Sequence, residues 1–169
     1  LRFTGLRGNM QTRLAKTAEH DAIVVAAIAL DRLGLGGEIT ERLDTQVVLP
    51  QVGQAALAVE CRTSDARTRE LLGRLEDPAA RACVLAERST LAALEAGCSA
   101  PVAAYAEVAE GERGPELFLR ASVTAIDGSD AVRGSVSGPL PEGGALGRAL
   151  AAGLLGPRAA GASRAPSAP

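Results

Sequence analysis

The stretch "EAGCSAP", residues 95–101, stands where an alanine- and leucine-rich helical pattern stops and a strand pattern begins. The glycine and proline close to Cys98 indicate a connection between two elements. The chain has three cysteines, and one of them lies at this corner. Two explanations are open: the thiol packs in the interior, or it takes part in covalent chemistry.

A helix is predicted on the N-terminal side of the corner, over about residues 77–95, after a shorter helix over 64–75. Asp77 is a typical N-cap residue, and Pro78 suits the first helical position. Gly97 is the residue expected to end the helix. Most apolar residues of the helix share one face. They are Ala82, Val84, Leu85, Leu91 and Leu94.

Three strand patterns and a last helix are predicted on the C-terminal side of the corner. The strands cover 102–108, 117–125 and 131–136, and the helix covers 142–155. This order predicts a small α+β unit, in which helices pack on a three-stranded sheet. The end of the chain, 158–169, is rich in Ala, Pro, Ser and Gly and predicts a disordered tail.

The N-terminal part of the chain alternates between strand and helix patterns. Asn9 is a plausible N-cap there, and Gly53 in "PQVGQ" suits a linker or a hinge. Continuous apolar runs after polar turns are typical of buried parallel strands, so this part predicts an α/β layer. The predicted strands cover 1–6, 21–26, 47–50 and 56–61, and the helical segments cover 10–19 and 29–34.

Composition narrows the class of protein. Aromatic residues make up 2% of the chain and the formal net charge is −2, which argues against nucleic-acid and membrane-surface partners. One histidine and three cysteines without CxxC spacing argue against a metal site. The longest apolar run, 22–30, is too short to span a bilayer. A cytoplasmic location is therefore expected.

Arg7 and Arg13 flank the start of the helix predicted over 10–19. Free N–H groups and guanidinium charge converge at such a place and can bind an anion. The alternative is a pair of solvated arginines, and spacing alone favours that alternative. Arg32 follows a predicted buried strand, at the edge where α/β sheets bind ligands. By itself it is weak support for an anion-binding site.

The three cysteines differ in their expected roles. Cys61 and Cys83 are interpreted as interior packing. Cys98 follows a helix C-terminus, whose negative dipole end disfavours a thiolate, and no histidine is close in sequence. These features argue against a cysteine-protease type of nucleophile at Cys98. A thiol that reacts once, to form a stable thioether, remains compatible with this position.

Five stretches in fixed order resemble the porphobilinogen deaminase (hydroxymethylbilane synthase) family, from about Arg7 to Leu155. The resemblance implies two domains similar to periplasmic binding proteins and a smaller third domain. It also implies a dipyrromethane cofactor joined by a thioether to the cysteine of a glycine-cysteine motif, which Gly97 and Cys98 match. The stretches are "LRGNMQTRLAK", "DAIVVAAIALDRLGL", "LPQVGQAALAVECR", "RTRELLGRLEDPAARACVLAER" and "LEAGCSAPVAAYAE".

The resemblance also implies an activity. Family members add four porphobilinogen molecules to the cofactor, each with loss of ammonia, and release linear hydroxymethylbilane for tetrapyrrole and heme biosynthesis. Arg7, Arg13 and Arg32 match family arginines that bind the substrate carboxylates and assist deamination, which reverses the preference for solvated arginines. The family's catalytic aspartate matches no residue of this chain and is expected to precede it.

The sequence departs from the family pattern at four positions, where Ala55, Ala96, Ser99 and Ala100 stand. These changes put the fine geometry of the loop in doubt, but they leave Gly97 and Cys98 in place. The chain begins without methionine, at "LRFTGLRGN". We therefore expect a C-terminal fragment that lacks most of the first domain and is inactive alone.

The mapping predicts four segments: 1–52 as the second half of domain two, 53–75 as a segment returning to domain one, 76–157 as the cofactor-bearing domain, and 158–169 as the tail. The whole protein is expected to be a monomeric cytoplasmic transferase. Two alternatives remain open. One is a non-enzymatic anion-binding module of the periplasmic-binding-protein class that loads no cofactor, and the other is a degenerate gene remnant.

Overall fold

The computed structural model describes residues 2–54, 56–97, 99–111 and 114–156. Cys98, Ala55 and the predicted tail over 158–169 lie outside the described residues. The chain divides into two units, of which the first ends at Asp44 and the second begins at Thr45. The first unit contains short helices and turns, and the second contains helices and an antiparallel sheet.

Short helical segments make up the regular structure described in the first unit. The Asn9 side chain accepts a hydrogen bond from the Thr12 amide at 2.9 Å, so the predicted N-cap is confirmed. Among the described residues of this unit, Leu30 alone is buried. The elements are α1 (Met10–Ala15), a 3₁₀ turn (Lys16–Glu19), α2 (Ala27–Arg32) and a second 3₁₀ turn (Gly36–Glu38).

The four strands predicted before residue 62 are not formed within the described residues. A strand needs a neighbour to pair its backbone N–H and C=O groups. For these segments the described chain provides only an isolated bridge between Gln51 and Ala103. Several of their apolar side chains stay in solvent, with Val24 76% and Leu57 82% exposed. The predictions over 1–6, 21–26, 47–50 and 56–61 are therefore wrong for this structure.

The predicted three-stranded sheet is confirmed in the second unit, and with it the mixed helix-and-strand fold. The strands run antiparallel in the order β1-β2-β3, so β2 is central and β1 is an edge strand. In the register, Tyr105 lies opposite Arg120, and Arg120 lies opposite Ser135. The strands are β1 (Val102–Gly111), β2 (Gly114–Thr124) and β3 (Ala131–Pro139).

Two of the three helices described in the second unit, the two longest, pack on one face of this sheet. The Asp77 side chain caps the longest helix by accepting hydrogen bonds from the amides of Ala79 and Ala80, at 2.9 and 3.0 Å. The predicted cap is thus confirmed. None of the described helices is long and apolar enough to cross a membrane. The helices are α3 (Ala66–Gly73), α4 (Pro78–Ala93) and α5 (Gly143–Leu154), with a 3₁₀ turn (Leu140–Glu142) before α5.

The core lies between the sheet and the pair α4 and α5. On β2, Leu117 and Leu119 are fully buried and point toward the helices. The two helices approach closely, because a Cβ atom at Gly143 would lie 2.8 Å from the carbonyl oxygen of Ala82. The core residues are Ala82, Ala86, Leu94, Val102, Ala104, Ala106, Leu117, Leu119, Ala121, Val123, Leu150, Ala151 and Leu154.

The buried face of α4 agrees with the predicted one at Ala82 and Leu94 and differs from it at Leu85. Ala86 and Thr90 are fully buried, whereas Leu85, predicted on the apolar face, is 47% exposed. Small residues occupy the buried face because α5 approaches the α4 backbone there. The Thr90 hydroxyl is satisfied within the helix, since it donates to the Ala86 carbonyl oxygen at 3.0 Å.

Candidate functional site

The helix before the corner ends two residues earlier than predicted. Glu95, and not Gly97, adopts the left-handed conformation, with a φ of 51°. The Ala96 amide donates to the Leu91 carbonyl at 3.2 Å, and the Glu95 amide donates to the Ala92 carbonyl at 3.0 Å. This pair of bonds is a Schellman motif with Glu95 at its C′ position. The prediction that Gly97 ends the helix is therefore wrong.

Gly97 has no local structural requirement for glycine. Its φ lies outside the left-handed region, and a Cβ atom placed on it would meet no other atom within 4 Å. It is exposed, and its carbonyl accepts a hydrogen bond from the Ala100 amide at 3.0 Å. Cys98 itself lies outside the described residues. The space beside its neighbour Gly97 is open, which fits attachment of a bulky group at this corner.

A cleft of about 500 Å³ lies next to the corner, within the second unit. Its lining includes residues of the segment 47–51, whose side chains are largely apolar, and it also includes Ala100, Pro101 and Val102. Arg133, which is exposed on β3, adds a positive charge to the lining. The cleft therefore combines apolar surface with one guanidinium group, close to the chain that follows Cys98.

Arg120 occupies the centre of the sheet face that points away from the helices. Its Nη2 atom donates to Thr45 Oγ1 at 3.2 Å and to Glu107 Oε1 at 3.3 Å. The guanidinium carbon lies 5.4 Å from the Tyr105 ring centroid and 5.7 Å from that of Phe118, within cation–π distance. Arg120 thereby joins residues of β1 and β2 to the start of the second unit.

Glu87 is a buried carboxylate on α4, with 5% exposure. Its Oε2 atom accepts a hydrogen bond from the Gly53 amide at 2.7 Å, and Oε1 accepts one from the Ala106 amide at 2.9 Å. Burial raises the pKa of Glu87 above its ordinary value, and the two amide hydrogen bonds partly offset this rise. The side chain thus connects the "PQVGQ" segment to the edge strand β1.

The two described cysteines differ in exposure. Cys83 is partly buried against the core, as predicted, and burial together with the charge of Glu87 raises the pKa of its thiol. Cys61 is exposed, so its prediction as an interior residue is wrong. It lies in the segment 56–61, which has no strand partner among the described residues. The structure therefore leaves Cys83 as a packing residue with a weakly reactive thiol.

The three predicted arginines all lie in the first unit. Arg7 precedes α1 and is exposed, and Arg32 is the exposed last residue of α2. Neither guanidinium has a hydrogen-bond or ion-pair partner among the described residues. Arg13 is partly buried, and its Nε atom donates to the Gly8 carbonyl at 2.9 Å. Arg13 thus folds back onto the loop that follows Arg7, and both Arg7 and Arg32 remain available to an anion.

Sequence reasoning missed Glu87 and Arg120. A signal for Glu87 was present, because it follows Cys83 by four positions and precedes Leu94 by seven, which places it on the buried face of α4. For Arg120, the signal was its position between Leu119 and Ala121 in an alternating strand, which predicts the opposite face. Its contacts with Thr45 and the rings depend on tertiary packing, which spacing does not reveal.

The described residues contain no group of three or more His, Cys, Asp or Glu side chains that could hold a metal ion. Charged groups near the described corner include Glu95, which precedes it along the chain, and Arg133, which belongs to the neighbouring cleft. Glu95 is exposed in its left-handed position, and Arg133 lines the cleft. Guanidinium groups such as Arg133 recognise carboxylates through defined hydrogen-bond geometry.

Two family models match the chain in succession. Residues 1–70 match the model described as "Porphobilinogen deaminase, dipyromethane cofactor binding domain", and residues 81–156 match "Porphobilinogen deaminase, C-terminal domain". The chain belongs to the porphobilinogen deaminase family. The resemblance drawn from the sequence motifs is thereby confirmed, and the description of the first family model names the expected cofactor.

Curated relatives agree with this assignment. The porphobilinogen deaminase of Nocardia farcinica is 50% identical over 157 residues, which are 89% of this chain and 45% of the relative. Porphobilinogen deaminase 1 of Streptomyces coelicolor is 48% identical over 163 residues, which are 92% of this chain and 51% of the relative. The chain therefore spans about half the length of the curated relatives it matches.

Proposed function

We propose that the protein containing this chain is a hydroxymethylbilane synthase, a transferase that deaminates and joins four porphobilinogen molecules. The observation that carries the proposal is the succession of two porphobilinogen deaminase models along the chain, over 1–70 and 81–156. In that protein, 1–52 forms the second half of domain two, 53–75 returns to domain one, and 76–157 carries the cofactor. The expected catalytic aspartate belongs to none of these segments.

Cys98 is the proposed attachment residue for the dipyrromethane cofactor, through a thioether. The bound cofactor supplies the pyrrole end to which substrate molecules are added. Open space at Gly97 and the cleft lined by Ala100 and Pro101 support this assignment, since a two-pyrrole group needs room next to its sulfur. The residue before Cys98 remains glycine although no backbone angle demands it.

Arg7, Arg13 and Arg32 are proposed to bind the carboxylates of the substrate and of the growing chain. Each added pyrrole carries an acetate and a propionate, so negative charge accumulates at every step. Guanidinium groups neutralise carboxylates with defined geometry. Arg7 and Arg32 are exposed and have no partner within the described residues, which supports this role because their guanidinium groups are open to carboxylates. Arg42, by contrast, is paired with Asp31.

The intact mass of the whole protein encoded by its gene tests the proposal. We expect an adduct of two pyrrole units that is lost in Cys98→Ser and kept in the matched controls Cys61→Ser and Cys83→Ser. An adduct that survives Cys98→Ser would reject the attachment residue. A folded wild-type protein without an adduct, which binds pyrrole carboxylates but forms no tetrapyrrole, would reject the synthase in favour of a non-enzymatic anion-binding module.

A further inference from the structure

The segment 45–53, at the start of the second unit, is fastened to the rest of that unit at three points. Thr45 bonds to Arg120 on the sheet face away from the helices, at 3.2 Å. Gln51 forms a bridge with Ala103 on the edge strand β1. Beyond that bridge, the Gly53 amide bonds to Glu87 of α4, on the helix side of the sheet, at 2.7 Å. The segment therefore passes around the free edge of β1, from one face of the sheet to the other.

Glu87 is the one buried residue among those that make these three contacts. Its two carboxylate oxygens accept from one amide of the turn, at Gly53, and from one amide of β1, at Ala106. A buried carboxylate is stable in such a place only when hydrogen bonds replace its lost hydration. Removal of the side chain would leave both amides without their acceptor, so the turn at Gly53 would lose its link to β1 through Glu87 and would keep only the bridge at Gln51.

We propose that Glu87 is a positioning residue, which holds the segment 47–51 as a wall of the cleft beside the cofactor-bearing corner. This inference rests on the proposed function, because only a tethered pyrrole chain at Cys98 gives that wall a role. The geometry links the two places directly. Gln51, in the bridge to Ala103, and Pro101, at the exit of the corner, line the same cleft.

Amide hydrogen exchange in the whole protein tests the fastening, with Glu87→Ala, Glu87→Gln and the control Glu70→Ala. Glu70 is exposed on α3, and within the described ranges its one ion pair is with Arg74, at the surface. We expect exchange at residues 51–54 to accelerate at least about tenfold in Glu87→Ala and about threefold in Glu87→Gln, which keeps one acceptor oxygen. The core amides of 117–123 and the control should not change.

Turnover measures the positioning role. In Glu87→Ala, we expect kcat to fall about tenfold while the adduct is retained, with partial recovery in Glu87→Gln. Unchanged exchange at 51–54, or an equal acceleration at 117–123, would overturn the inference. Faster local exchange without any change in kcat would overturn it as well. If Glu87→Ala does not fold, the same two comparisons in Glu87→Gln decide.

Failure of the proposed function can be distinguished from failure of the inference about Glu87. A wild-type protein without an adduct would reject the synthase, and the inference about positioning would fall with it. The exchange comparison needs no cofactor, so it still measures whether Glu87 fastens Gly53 to β1. Loss of the adduct in the wild type and loss of the local exchange difference in the variants are therefore separate outcomes.

Discussion

Val24 and Leu119 lie in segments with similar apolar patterns, yet Val24 is 76% exposed and Leu119 is fully buried. Leu119 belongs to β2, which has a strand on each side and helices across one face. Val24 precedes α2 in the first unit, where the described chain provides no partner strand. An apolar run can therefore form a buried strand only where another part of the protein provides a neighbouring strand.

The largest effect is expected when one buried and one exposed apolar side chain are truncated in the 169-residue chain. Leu119→Ala removes fully buried methyl groups and should lower the free energy of unfolding by about 2–5 kcal/mol. Val24→Ala removes a side chain that is already in solvent, and should change it by less than about 0.5 kcal/mol. Denaturant unfolding measures both. A comparable cost at Val24 would show that the first unit buries it in solution.

A smaller effect is expected where α5 approaches α4. A Cβ atom at Gly147 would collide with the Ala86 carbonyl oxygen, whereas one at Gly153 would meet no atom within 4 Å. Gly147→Ala should therefore destabilise the second unit by about 1–3 kcal/mol. Gly153→Ala, in the same helix, should stabilise it by about 0.5–1 kcal/mol through helix propensity. Equal effects in thermal unfolding would contradict the close approach of the helices.

Local signals in the sequence predicted the elements that need no distant partner. The caps at Asn9 and Asp77 depend on side chains within three positions of the amides they accept from. The C-terminal sheet was also predictable, because its strands follow one another through short turns. The strand predicted over 21–26 failed because its pairing is non-local. Pattern alone could not distinguish these two cases.

The candidate site was predictable only in part, and by a different route. Cys98 and the three arginines were assigned through resemblance to a family, since spacing alone favoured solvated arginines. Helical periodicity places Glu87 on the buried face of α4. Its residue type indicates the opposite, because carboxylates are rarely buried. Its two amide donors come from distant parts of the chain, at Gly53 and Ala106, which no local pattern records.

The corner before Cys98 gives the smallest predicted change and the most specific one. Glu95 is the one described non-glycine residue with a positive φ, whereas the φ of Gly97, two positions later, is not in the left-handed region. Left-handed backbone is unfavourable for a residue with a Cβ atom. Glu95→Gly should therefore stabilise the second unit by about 1 kcal/mol, whereas Gly97→Ala should change its stability by less than about 0.5 kcal/mol. Thermal unfolding of the two variants tests the assignment of the helix end.

The same two variants separate stability from attachment in the whole protein. If the open space at Gly97 serves the cofactor, Gly97→Ala should reduce the fraction of protein that carries the adduct while its melting temperature stays the same. Glu95→Gly keeps that space, so its adduct should remain although its melting temperature rises. If only Glu95→Gly raises the melting temperature, the left-handed residue is Glu95. A full adduct in Gly97→Ala would show that the glycine does not provide room for the cofactor.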